Sequence, residues 1–183
     1  MKTKSFIIPQ YITAKEIRDF RKSLGLSQKE FADLMGCSKP TVVRWESSKE
    51  NITGPIVCAV FAIKNNDKLK SNLVLSEMKF NLRLKYMYRQ QICTVIDIDE
   101  MNEKVEIINY EDNVMFRAFG ANENPNYADF EVFLESRCFP RTRDKMKLIL
   151  EDLNLPFYNP LMIIEKTQGR MAEDDFWIDV ERK

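Results

Sequence analysis

Lys39, Thr41 and Arg44 are spaced so that a helix from Lys39 to about Glu46 would turn all three outward while Val42 and Trp45 point inward. Two cations and a hydroxyl near a helix start supply hydrogen-bond donors and positive charge. That is the chemistry of holding an anion or a base edge, not of making and breaking bonds. In isolation such a face is ordinary solvated surface, so its meaning depends on the scaffold around it. The rest of the chain offers a catalyst little. Histidine is absent, which removes Ser-His-Asp and Cys-His catalysis and every histidine metal site. Cys37, Cys58, Cys93 and Cys138 include no C-x-x-C pair and are expected to be reduced and partly buried. Carboxylates gather at Asp97/Asp99/Glu100 and at Glu173/Asp174/Asp175, where magnesium could be held, though solvated loops and strand ends are the commoner use of such runs. Gly169 stands alone in Thr167-Gln168-Gly169-Arg170 and makes no phosphate-binding loop. No enzymatic role, cofactor or metal is expected.

The elements that must position the Lys39–Arg44 face are marked by strong punctuation. Thr13-Ala14-Lys15-Glu16 fits a capping box, a hydroxyl and a carboxylate each satisfying orphan backbone N–H groups. A first helix then runs to about Leu24, with Ile17, Phe20 and Leu24 on one face, and Gly25 follows as a stop. Ser27-Gln28-Lys29-Glu30 is a second capping box, opening a helix that carries Phe31, Ala32 and Met35 and that Gly36 closes. Ser38 caps the third helix, whose first turn tolerates Pro40 because those N–H groups lack partners anyway. Two short helices joined by the tight turn Gly36-Cys37-Ser38 form a helix-turn-helix. Ala32 sits where the helices approach, and Gly36 can take a positive φ. With Val42 and Trp45 beneath it, the N-terminal end of the third helix is left free to enter a DNA major groove.

Leu26-Ser27-Gln28-Lys29-Glu30-Phe31-Ala32, with Gly36-Cys37-Ser38-Lys39-Pro40-Thr41-Val42-Val43-Arg44-Trp45-Glu46, resembles the Cro/repressor-type helix-turn-helix family, also called the xenobiotic-response-element family, over about residues 13–66. Asn51-Ile52-Thr53-Gly54-Pro55-Ile56-Val57 is similar to the family's approach to its fourth helix, while Ser47-Ser48 stands where a glycine is usual. The resemblance implies roles residue by residue. Gln28 would bond a backbone phosphate, and Ser38, Ser47, Ser48 and Lys49 would also meet phosphates, which fix register without reading sequence. Lys39, Pro40, Thr41 and Arg44 would face base edges. Arg44 is the best reader of guanine, because its planar fork matches guanine's two acceptors. Thr41 could bond a base or touch a thymine methyl. A further helix from Asp67 to about Asn81 is expected, and in this family a terminal helix often makes a symmetric dimer contact.

From Leu82 the periodicity changes. Leu82, Leu84, Tyr86 and Tyr88 alternate with Arg83, Lys85, Met87 and Arg89, a period-two strand signal. Ile92 to Ile98 and Val105 to Tyr110 read as two more strands, and Asn113 to Phe119 as a fourth. A loop at Gly120 to Asn126 leads to a helix over Tyr127 to Arg137, a helix capped by Thr142, a short helix opened by Asn159-Pro160, and a closing strand from Phe176 to Val180. Arg137, Arg141, Arg143, Lys145 and Lys147 form a basic island that could pair with local carboxylates or meet a phosphate backbone, the first being the commoner fate. The expected architecture is an N-terminal all-α helix-turn-helix domain, residues 1–81, followed by a C-terminal acidic α+β domain, residues 82–183.

Charge divides the chain in the same way. Its 183 residues balance 28 basic against 28 acidic groups, yet residues 1–90 hold 17 and 8, and residues 91–183 hold 11 and 20. A polyanion would be drawn to the first half and repelled by the second. No apolar run is long enough to cross a bilayer and the basic N-terminus has too short an apolar stretch for a secretory signal, so a cytoplasmic location is expected. The expected partners are double-stranded DNA, a second copy of the chain in a homodimer, and a protein held by the C-terminal domain. Glu135–Arg143 and Met171–Ile178 are similar to stretches of small proteins from bacterial mobile elements, some accompanying toxins and some resembling anti-CRISPR proteins. These stretches leave three roles in competition: an autoregulatory repressor, an inhibitor of a Cas9-type nuclease, and an antitoxin.

Overall fold

The computed structural model of the chain describes residues 5–183 and divides into two compact units, Met1–Ser76 and Glu77–Lys183. In the first unit both capping boxes form. Thr13 and Glu16 open α1 (Ala14–Ser23), and Ser27 and Glu30 open α2 (Gln28–Leu34). Three more helices follow: α3 (Lys39–Ser47), α4 (Pro55–Lys64) and α5 (Asp67–Asn72). Apolar residues at helical spacing meet in one core: Ile17 and Phe20 of α1, Phe31 and Ala32 of α2, Val42 of α3 and Val60 of α4. Phe20 and Phe31 pack edge to face with ring centroids 6.1 Å apart. Ile12 and Ile52 exchange backbone hydrogen bonds of 2.8 and 2.9 Å, which pins the segment before α1 to the loop after α3.

The helix expected over Asp67 to Asn81 stops at Asn72. Beyond it the backbone takes partners elsewhere in the fold: the Lys79 N–H donates to the Asp97 carboxylate at 3.1 Å instead of to a carbonyl one turn back.

The second unit is built on an antiparallel sheet in the order β3-β2-β1-β4, from β1 (Leu82–Tyr88), β2 (Gln91–Asp99), β3 (Lys104–Asn109) and β4 (Phe176–Arg182). Strand alternation puts Leu82, Leu84, Ile96, Ile98 and Ile178 in one core with Phe130 and Phe133 of α6 (Tyr127–Ser136) and Ile163 and Ile164 of α8 (Pro160–Thr167). Between them lies α7 (Met146–Asp152). This is the expected α+β architecture.

Two local expectations fail. Asn113 to Phe119 forms no strand; it turns through a single 3-10 helix, Val114–Phe116, because the Asn113 side chain accepts the Met115 N–H and Phe116 seats against Tyr88 and Phe176. Thr142 caps no helix, since α7 begins only after Lys145, a residue with φ of 59°. The acidic runs are not simply solvated. Asp97 binds the buried Arg83 at 2.6 Å, Asp174 binds Arg137 at 2.7 Å, and Asp175 binds Arg89 at 2.8 Å.

Candidate nucleic-acid interface

The turn between α2 and α3 is tight for two reasons. Gly36 takes a φ of 62°, and the Cys37 N–H bonds the Ala32 carbonyl at 2.9 Å. Ala32 itself is buried, so a larger side chain there would push the helices apart. From this turn α3 leaves with Val42 fully buried and Lys39, Pro40, Val43, Arg44 and Ser47 exposed. Trp45 is half-buried against the core, as its inward position requires. The exposed stripe therefore carries a lysine and an arginine on a helix whose opposite side is fixed in a packed interior.

The expected contact residues do not all stand alike. Lys39 and Arg44 are free of the fold and point into solvent, as does Lys49 just beyond the helix. Thr41 is half-buried, and its hydroxyl lies 3.0 Å from that of Ser38. Ser38 is the N-cap residue but makes no side-chain bond to the helix backbone; Pro40 carries no N–H and the Thr41 N–H bonds the Ser38 carbonyl at 2.9 Å, so the first turn has little left to donate. The Ser47 hydroxyl donates to the Val43 carbonyl at 2.8 Å, and that of Ser48 to the Glu50 carbonyl at 3.0 Å. Both would have to turn away from these carbonyls to donate to a phosphate. The Gln28 amide donates to Glu46 at 2.9 Å, leaving its second N–H available.

The sequence reading missed Glu46, although it follows Val42 by four residues and so falls on the buried stripe. Its side chain is only 4% exposed. Arg21 of α1 grips it with Nε at 2.6 Å and Nη2 at 3.2 Å, and Gln28 of α2 adds a third bond. Arg18 donates to the Glu46 carbonyl at 2.5 Å. One carboxylate thus joins the first three helices. Burial pushes its pKa up, but the bonds from Arg21 and Gln28, with the charges of Arg21 and Arg18, hold it below the usual carboxylate value. Val43 was missed as well; at 42% exposure it is an apolar group on the outward stripe, suited to a thymine methyl. Gly54 turns the chain into α4 with φ of 100° and ψ of −164°, a conformation open essentially to glycine alone.

Residues 17–60 match the family model described as Helix-turn-helix. The first unit is a Cro/repressor-type helix-turn-helix domain. Such a domain binds DNA, and the helix-turn-helix here has its second helix, α3, solvent-facing and anchored from behind. The unit also has the charge for it: residues 1–76 hold 13 basic and 7 acidic groups, against 15 and 21 in residues 77–183. The comparisons with curated proteins and with solved structures give no match to the chain. Among the described residues, no helix is long and apolar enough to cross a membrane.

Proposed function

We propose that the protein is an autoregulatory transcriptional repressor, binding as a homodimer to a palindromic operator and acting by occupancy rather than catalysis. In this reading α3 enters the major groove. Lys39, Pro40, Thr41, Val43 and Arg44 meet base edges, with Arg44 bidentate to guanine. Lys49, the free N–H of Gln28 and the Ser38 hydroxyl hold phosphates, with Ser47 and Ser48 joining them once their hydroxyls rotate. Two α3 helices would sit one DNA turn apart, about 34 Å. The second unit serves as a protein-interaction module. The observation that carries the reading is the exposed Lys39–Arg44 stripe on a helix locked from behind by Val42 and Glu46.

The test is binding of the full chain to the DNA upstream of its own coding sequence, measured at several salt concentrations. The expected outcome is two chains per duplex, preference over a scrambled duplex, and affinity that falls linearly on logarithmic axes as salt rises. Equal affinity for the two duplexes would remove the repressor role.

A further inference from the structure

An open groove of about 440 Å³ runs along α6 and the start of α8 in the second unit. Tyr127, Phe130, Leu134 and Leu161 give it an apolar floor, and Glu100, Glu131 and Glu135 stand around it. Val132, also in its lining, is 69% exposed. The fold of the chain does not account for that valine. A β-branched residue at an exposed helix position contributes neither helix propensity nor burial.

The groove is also negatively charged. Glu131 pairs with no cation among the described residues. Two of its carboxylates are already paired: Glu135 with Arg141 at 2.6 Å, which also lies over the Tyr158 ring, and Glu100 with Arg182 at 3.1 Å, so Glu131 is the lining carboxylate left to meet an incoming cation. Burial first, then the charges of Glu100, Glu131 and Glu103, hold the Tyr127 hydroxyl above its ordinary pKa, so three carboxylates act on one point of the lining.

We propose that this groove docks a lysine- or arginine-rich amphipathic segment of a partner protein, its apolar side chains on Val132 and the floor and a cation on Glu131. Charge complementarity selects the occupant: an acidic rim repels acidic chains and nucleic acid, and the exposed Val132 beside the half-buried Tyr127 and Leu161 suits apolar side chains. This deepens the protein-interaction role proposed above for the second unit and rests on it, while DNA binding by the first unit stands apart.

The probe is a labelled peptide with leucine and lysine at amphipathic helical spacing, with a second peptide carrying glutamate for lysine, each titrated into the full chain at low and physiological ionic strength. The unaltered chain should bind the lysine peptide and not the glutamate one. E131K and V132R should each weaken binding about tenfold or more, whereas E173K, an equal charge change outside the groove, should change it less than about twofold. All three should leave DNA binding unchanged. If E173K weakens binding as much as E131K, the attraction is general acidity and the groove assignment is overturned, while a protein-binding second unit survives. Absence of binding by the unaltered chain would overturn the groove assignment, and a protein-binding second unit would then have to use another surface. Sedimentation of the chain with and without V132R covers the remaining occupant: a dimer lost in V132R would mean that a second copy fills the groove, which also overturns the proposal.

Discussion

Arg21 and Glu46 form a two-pronged ion pair, with Nε to Oε1 at 2.6 Å and Nη2 to Oε2 at 3.2 Å, in which neither side chain is more than 13% exposed. The pair decides where the outward stripe of α3 points, because it ties the last turn of that helix to α1. Removing one partner leaves the other buried and uncompensated, which costs more than the intact pair contributes. Glu46→Gln should therefore destabilise the first unit by about 2–3 kcal/mol, less than the roughly 3–5 kcal/mol of a fully broken buried pair because the glutamine oxygen can still accept from Arg21. Urea unfolding of the full chain followed by Trp45 emission in a Trp177→Phe background measures this. An unshifted midpoint would mean that core packing alone holds α3.

The same carboxylate makes the first unit sensitive to acid. Its folded pKa is depressed, so the unfolded chain takes up the proton first as pH falls. The stability contributed by Glu46 is present above the ordinary glutamate pKa, about 4.3, and is lost as pH falls through the lower folded value. The stability difference between the parent and Glu46→Gln should be constant near neutrality and narrow below about pH 4. The same unfolding measurement as a function of pH checks this, and a difference that persists at the acid end would contradict it.

Arg44 and Lys49 should divide specificity from affinity. Arg44→Ala should cost about 1–3 kcal/mol on the operator and relax choice at one base position. Lys49→Ala should weaken binding about equally on all sequences and lower the salt slope by about one. Titrations against an operator and its single-base variants separate the two. An Arg44→Ala protein with parental discrimination would remove Arg44 from base reading.

In the second unit Arg137 is a structural keystone of the C-terminal strand. It is buried, binds Asp174 with both terminal nitrogens at 2.7 and 3.1 Å, donates to the Gly169 and Phe176 carbonyls, and lies over the Tyr86 ring. Lysine cannot reproduce that fork. Arg137→Lys should cost at least about 2 kcal/mol, against less than about 1 kcal/mol for Arg141→Lys, whose ion pair with Glu135 is exposed. Thermal unfolding followed by Trp177 emission in a Trp45→Phe background compares them, and equal losses would refute the assignment.

Much of this molecule is written in short-range signals. Capping boxes at Thr13 and Ser27, the glycine at position 36 and the alternation from Leu82 to Tyr88 depend only on neighbours along the chain, so the helix-turn-helix, the strands and the outward facing of Lys39 and Arg44 were legible in the sequence. Contacts made across the fold were not. Asn113–Phe119 has strand-like composition, yet Phe116 finds its partners in Tyr88 and in Phe176, which lie far away along the chain. The bonds that Gln28, Ser47 and Ser48 make to their own fold were equally invisible, since a free donor and a satisfied one have the same letter. Glu46 lies between the two cases: its place on the buried side of α3 follows from helical spacing, but its partners come from α1 and α2. Local backbone chemistry fixed the elements and the outward face of the recognition helix; only the packed tertiary structure decided which polar side chains remain free to meet another molecule.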